Sequence, residues 1–169
     1  MNEALRQTAI FVRDLLNYDE QLIRVGRMDF DIEDFTSSYI GVDGLGQAQR
    51  LASGQDYDGT GEVMTHSQNW RAPVTVSFYG DGAWARANKF ALLIASQKSF
   101  ELQRAQGIGV MQASGITDVK ILAGKRYGER QEITLNVLNT VSEDIGTLRI
   151  DTTQLEVWTE NNPIIEETS

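Results

Sequence analysis

The sequence has no cysteine, one histidine and two prolines among its 169 residues. The absence of cysteine excludes a disulfide scaffold, a thiolate zinc site and a cysteine nucleophile. No apolar run approaches the roughly 20 residues that a membrane-spanning helix needs, and the N-terminus lacks the charged and then apolar pattern of a signal peptide. We therefore expect a protein without disulfides and without a membrane partner.

Basic residues are scarce relative to acidic ones: 15 lysines and arginines face 24 aspartates and glutamates, so the net charge is −9. Proteins that bind nucleic acids gain most of their affinity from Lys and Arg contacts with phosphates. A chain this acidic should repel DNA unless its few bases cluster. The length fits one domain, which we predict over residues 1–159, followed by a loose acidic tail over residues 160–169.

Apolar residues near the N-terminus recur at helical spacing and predict a first helix with one buried face. They are Leu5, Ala9, Val12 and Leu16. Alternating apolar and polar residues predict strands in two later groups. The predicted strands cover residues 38–43, 48–51, 62–79, 108–112, 117–122, 131–141 and 148–158.

A second helix is predicted between the two groups of strands, over residues 83–104. Asp81 is its predicted N-cap and Gly107 its predicted stop. Its apolar face, which should pack on the sheet, includes Ala87, Ala91 and Ile94. The order helix, strands, helix, strands predicts an α+β fold with a mixed or antiparallel sheet covered by two helices.

Residues 56–62 resemble the first half of a calcium-binding EF-hand loop. Asp56 and Asp58 stand at loop positions one and three, and Gly61 stands at position six. The match fails at position twelve, where Ser67 replaces the bidentate glutamate, and the flanking segments have the pattern of strands. An exposed hairpin turn explains these residues better, so we predict no calcium site and no cofactor.

The single histidine, His66, is the candidate metal ligand or catalytic base. A small hydrolase or metal-binding domain that uses His66 and the 56–62 loop is one alternative function. However, His66 and its neighbour Ser67 should point to opposite faces of a strand, and no nucleophile, base and oxyanion donor come together. We therefore predict that the protein is not an enzyme. A binding module that uses a sheet edge is a further alternative.

Four acids and three tryptophans have both functional and structural interpretations. The acids could hold a cation, but they are more typical of a solvated face; they are Asp29, Asp31, Glu33 and Asp34. Tryptophan is enriched at binding hot spots. All three tryptophans, Trp70, Trp84 and Trp158, could be interface anchors; Trp158 is the best candidate, whereas Trp84 is equally compatible with the interior.

Residues 74–83 contain the pattern V-x-F-Y-G, followed by a helix that opens with alanine. Residues 44–50 contain Gly-Gln-x-x-Arg, and residues 127–137 form a late strand. Over residues 26–141, these segments resemble the neck and tail-terminator proteins of tailed bacteriophages. The chain departs from that pattern in its turn at residues 56–62 and in its extension after Arg149.

The resemblance implies a small α+β subunit that forms a ring, commonly of six copies, at the head-proximal end of the tail tube. Such a ring stops tube growth and docks the head connector. The implied partners are copies of itself, tail-tube proteins and head-connector proteins in the virion, after assembly in the host cytoplasm. A head-completion or stopper protein and a tail-tube-like subunit are the alternatives. The candidate interface residues are Gln47, Arg50 and Trp158.

The acidic composition fits this ring, because DNA would pass through an acidic channel without binding to it. Two groups of acids are candidates for lining the channel, unless they only solvate the outer surface. They are Asp29, Asp31, Glu33 and Asp34 in the first group, and Asp56, Asp58 and Glu62 in the second.

Overall fold

The computed structural model describes residues 2–26, 37–119, 121–123, 126–146, 156–159 and 162–165. Three α-helices are described, α1 (Asn2–Leu16), α2 (Ala83–Ile94) and α3 (Gln97–Gln106), together with one 3-10 helix at Glu20–Leu22. The described strands are β1 (Ile23–Val25), β2 (Tyr39–Gly44), β3 (Gln49–Asp58), β4 (Val63–Tyr79), β5 (Gly109–Gln112), β6 (Thr117–Asp118), β7 (Ile121–Ala123), β8 (Arg126–Gly128), β9 (Arg130–Gly146), β10 (Glu156–Thr159) and β11 (Asn162–Ile165). The predicted α+β class is confirmed.

Seven strands form one mixed sheet in the order β1-β2-β4-β9-β5, with β3 also paired to β4 and β6 also paired to β9. The β1–β2 pair is parallel, whereas β2–β4, β5–β9 and β6–β9 are antiparallel. The strands β4 and β9 each have 17 residues and pair with different neighbours along their length. Two small antiparallel sheets, β7–β8 and β10–β11, complete the described strands.

The chain divides into two compact units. The first unit comprises Met1–Ser53 and Ser67–Val141. The second comprises Gly54–His66 and Ser142–Ser169. The three helices and the hydrophobic core belong to the first unit, whereas the predicted EF-hand-like turn belongs to the second. Part of the tail that we predicted to be loose forms β11.

The predicted buried face of α1 is confirmed. The side chains of Phe11 and Val12 are completely buried, and Leu15 is 2% exposed. The helix ends at Leu16, because the next residue, Asn17, has a positive φ of 51°, a conformation that terminates helices. The helix packs against α2, α3, β1 and β2.

The other side of the core comes from alternate residues of the central strands. In β4, Val74, Val76 and Phe78 point to the helices and are buried. The same alternation is present in β9, where the buried residues are Ile133, Leu135 and Val137. The rings of Phe78 and Phe90 lie 5.6 Å apart and join β4 to α2.

The second predicted helix is two helices, so three helices are present where we expected two. The helix is interrupted at Ser96, which has an extended backbone (φ −86°, ψ 160°). As the N-cap of α3, its side chain accepts a hydrogen bond from the Ser99 amide. Serine favours such caps because its hydroxyl satisfies a free amide at the helix start. The predicted N-cap Asp81 was wrong, since Gly82 occupies that position. The stop at Gly107 is confirmed.

Strand β3 is longer than the sequence predicted. We expected a short strand over residues 48–51 and an exposed turn at residues 56–62, but β3 continues to Asp58 and the turn occupies residues 59–62. All ten β3 residues are exposed, so the strand lacks the alternation of apolar and polar residues that identifies a half-buried strand.

Candidate interaction surfaces

The V-x-F-Y-G motif connects the core to the opposite face of the sheet. Val76 and Phe78 are buried under the helices, and Tyr79 points the other way because neighbouring strand residues alternate. The Tyr79 ring stacks on that of Tyr39, with centroids 4.3 Å apart. The motif therefore has a structural role on both faces of β4.

Gly80 closes this motif at a position that only glycine fits. Its φ is +78°, and a Cβ added there would lie 2.6 Å from the carbonyl oxygen of Ser37. The Gly80 amide donates to the Glu129 carbonyl oxygen at 3.0 Å. Arg86 secures the same turn, since its guanidinium donates to the carbonyl oxygens of Tyr79 at 2.6 Å and Asp81 at 2.8 Å.

A cluster of charged and aromatic side chains surrounds the stacked tyrosines. The Arg24 guanidinium lies 4.4 Å from the Tyr39 ring centroid, and that of Arg130 lies 5.2 Å from the Tyr79 centroid. Arg130 also forms an ion pair with Glu132. Burial raises the pKa of the Tyr79 hydroxyl, and the positive charge of Arg130 opposes part of that rise.

Sequence reasoning missed this cluster. Its members come from β1, β2, β4 and β9 and meet only through the strand order. The available signal was the polar half of the alternation in β4 and β9, which includes Ser77 and Glu132. The Ser77 hydroxyl donates to the Glu132 carboxylate at 3.3 Å.

The predicted interface residues Gln47 and Arg50 are both exposed. Gln47 lies in the loop before β3, and Arg50 lies within β3, where its Nε donates to the Gln68 side-chain oxygen. Gln68 in turn donates to the carbonyl oxygen of Ala52 at 2.9 Å. On the same pair of strands, Arg71 donates to Gln49. Arg50 is thus oriented by side-chain hydrogen bonds that connect β3 and β4.

A hollow of about 230 Å³ lies where the start of α1 meets β4 and β9. Its lining is mostly apolar and consists of Glu3, Ala4, Ala48, Trp70, Ala72, Val137, Asn139 and Val141. Trp70 is partly buried here. Trp84, in contrast, is 53% exposed on α2, which rules out its core alternative. Trp158 is in β10, but its side chain lies outside the described residues.

Only one of the two groups of candidate channel acids lies within the described residues. Asp29, Asp31, Glu33 and Asp34 lie outside the described residues. Asp56, Asp58 and Glu62 are described and exposed. The Asp58 carboxylate accepts the Thr60 amide at 2.9 Å, as in a tight turn, and strands flank this turn on both sides.

His66 lies on β4 next to β3. Its Nδ1 is 3.3 Å from the side-chain nitrogen of Gln55. In the part of the chain that the structure describes, no three His, Asp or Glu side chains are grouped so as to hold a metal ion. The contact with Gln55 is a cross-strand pair, which gives His66 a structural role in the hairpin.

These features define a small α+β protein with exposed apolar and charged side chains on its strands and helices. The chain belongs to the phage neck terminator protein family, whose model matches residues 10–159. It is therefore a structural protein of the phage neck and a component of the virion, and the predicted family is confirmed. No match was found among curated proteins. No described helix is long and apolar enough to cross a membrane.

Proposed function

We propose that the protein forms a ring of about six copies at the neck, stops growth of the tail tube and joins the tail to the head connector. The family match over residues 10–159 carries this proposal. A structural role, without catalysis or a cofactor, is also in keeping with the cross-strand contact of His66 and the turn geometry of Asp58.

The exposed surfaces support assembly with other proteins. Apolar side chains are exposed on α2 and α3, and Arg50 is held outward on β3. Tryptophan and arginine are the residues most enriched at interface hot spots. Gln47, Arg50 and Trp158 stay proposed interface residues.

We further propose that acidic residues line the channel of the ring. Each copy has a net charge of −9, so a ring of six would carry several tens of negative charges. DNA carries one negative charge per about 1.7 Å of duplex, and like charges would keep it mobile in the channel. A structure of the assembled ring with a neutral or basic channel would contradict this part of the proposal and leave the ring itself intact.

Sedimentation and negative-stain electron microscopy of the purified chain test the ring. We expect a discrete oligomer, close to six copies, that appears as a ring with a central channel. A chain that stays monomeric at all accessible concentrations would contradict the proposal.

Loss of the protein from the phage separates the proposed role from its alternatives. If the ring ends the tube, particles assembled without it should show free heads and tail tubes of uncontrolled length. A head-completion or stopper protein would instead leave tails of normal length, and loss of a tube subunit would leave no tube. Tail length measured on micrographs therefore decides among the three.

A further inference from the structure

Helices α2 and α3 are basic, although the whole chain is acidic. Together α2 and α3 contain four basic residues and one acidic residue, a net charge of +3, against −9 for the chain. The basic residues are Arg86, Lys89, Lys98 and Arg104, and the acidic residue is Glu101.

Two of these bases stabilise the fold. Arg86 secures the turn before α2, and Lys98 donates from Nζ to the carbonyl oxygens of Asp14 at 2.6 Å and Leu15 at 3.1 Å, at the end of α1. The other two, Lys89 and Arg104, are exposed. Their charges are therefore available at the surface of α2 and α3.

Large apolar side chains are exposed on the same two helices. Trp84 is 53% exposed, Leu92 is 76% exposed and Phe100 is 59% exposed. Trp84 and Leu92 are eight residues apart, so they lie on one side of α2. Aromatic anchors beside basic residues are typical of protein interfaces. We call the exposed residues Trp84, Lys89, Leu92, Phe100 and Arg104 the helix face.

The second unit contains the opposite charge. Its described segments at residues 54–66 and 142–146 contain five acids and no lysine or arginine. The acids, all exposed, are Asp56, Asp58, Glu62, Glu143 and Asp144. Two large apolar side chains lie among them, Tyr57 at 46% exposure and Ile145 at 48%. We call these two ranges the acidic segment.

We propose that the helix face of one copy binds the acidic segment of a neighbouring copy. This interface rests on the proposed ring and gives its contact chemistry. Each copy presents one surface of each kind, and a contact between two different surfaces of identical subunits repeats head to tail and can close into a ring. A second copy is the occupant because the chain itself supplies the complementary charge.

The two kinds of side chain have different parts in this contact. Opposite charges steer the copies together and fix their register, and burial of Trp84, Leu92 and Phe100 stabilises the contact. The proposal assigns Asp56, Asp58 and Glu62 to the interface. It therefore leaves Asp29, Asp31, Glu33 and Asp34 as the candidates for the channel.

Charge reversal on each surface tests the contact. The helix-face variant is Lys89→Glu with Arg104→Glu, which spares the hydrogen bonds of Arg86 and Lys98. The acidic-segment variant is Asp56→Lys with Glu143→Lys, which spares the hydrogen bonds that Asp58 and Asp144 accept. The control is Arg6→Glu, a single charge reversal at an exposed position of α1 outside the helix face. It is compared with the single variant Lys89→Glu.

We expect either double variant alone to need about tenfold or more protein for half-assembly, measured by sedimentation, because like charges would then face each other. An equimolar mixture should assemble as the native protein does, since each surface again meets its opposite. The acidic-segment variant also changes the net charge from −9 to −5, because each acid-to-lysine substitution adds two positive charges. If repulsion between whole chains controlled assembly, this variant would therefore assemble more easily than the native protein. Arg6→Glu should leave assembly unchanged, and circular dichroism should show that both double variants fold.

The outcomes separate this proposal from the proposed function. A native ring that both double variants also form would overturn the interface and leave the ring function standing. Impaired variants whose mixture does not assemble would overturn the pairing of these two surfaces. A native chain that stays monomeric would overturn both the ring and the interface.

Discussion

The hydrophobic core lies in the first unit of the molecule, whereas none of the second-unit side chains whose exposure is described is buried. In the first unit, Val76, Phe78 and Phe90 are completely buried. In the second, every residue of 54–62 is exposed. Substitutions at buried positions of the first unit should therefore change the free energy of unfolding, whereas those at exposed positions of either unit should change contacts with other molecules.

The largest expected effect is at Gly80, in the first unit. Gly80→Ala should destabilise the fold by about 3 kcal/mol or more, because left-handed strain adds to a backbone clash with Ser37. Denaturant unfolding measures the loss. Gly46→Ala is the control, since Gly46 has a similar φ of +83° but nothing within 4 Å of an added Cβ. If both variants lost the same free energy of unfolding, the clash with Ser37 would contribute nothing to the effect.

A smaller effect is expected on the buried face of α2. Ala87 is completely buried, whereas its neighbour Ala85 is exposed. Ala87→Leu should overpack the core and cost about 1–3 kcal/mol, and Ala85→Leu should change stability by less than about 0.5 kcal/mol. Thermal unfolding of both variants tests this. If the Ala87→Leu variant unfolded at the same temperature as the native protein, the helix would not pack as described.

These features differ in how far the sequence predicted them. The stripe of α1 and the alternation in β4 follow from apolar periodicity, so both elements were predicted, and β4 nearly to its bounds. The break at Ser96 was missed, because one cap hydrogen bond outweighs the helical pattern on either side of it. The length of β3 was missed because an exposed strand has no apolar pattern.

The candidate surfaces were less predictable than the fold. Charge totals predicted an acidic protein but not the basic helix face, which appears only when α2 and α3 are counted separately from the rest. The cluster around Tyr39 and Tyr79 joins Arg24 to Arg130 across four strands. Sequence spacing contains no information on such a contact until the strand order is known.

A third prediction concerns pH. The pKa of Tyr79 is raised in the folded protein by burial, whereas a tyrosine in the unfolded chain titrates near pH 10. From about pH 10 up to the folded pKa, the unfolded chain loses a proton that the folded protein keeps, so stability falls through that window. Below about pH 10 this contribution is fully present.

Tyr79→Phe should remove that alkaline loss while it keeps the stacking on Tyr39. Urea midpoints measured from pH 8 to pH 11.5 would show a shallower decline than in the native protein. Tyr57→Phe removes a hydroxyl from a tyrosine that is 46% exposed in the second unit and serves as the control. Parallel declines for the native protein and Tyr79→Phe would contradict the prediction.

The smallest expected effect is in the second unit, where calcium should not bind specifically to residues 56–62. An EF-hand loop needs a bidentate glutamate at its twelfth position, and Ser67 stands there. The Asp58 carboxylate already accepts the Thr60 amide, and strands flank the turn. Calorimetric titration should detect at most weak, salt-sensitive association with the acidic segment as a whole. In that case Asp58→Ala and Glu143→Ala would reduce it to a similar degree, because each removes one exposed charge. Micromolar binding that Asp58→Ala abolishes and Glu143→Ala preserves would show a coordinated site and overturn the prediction.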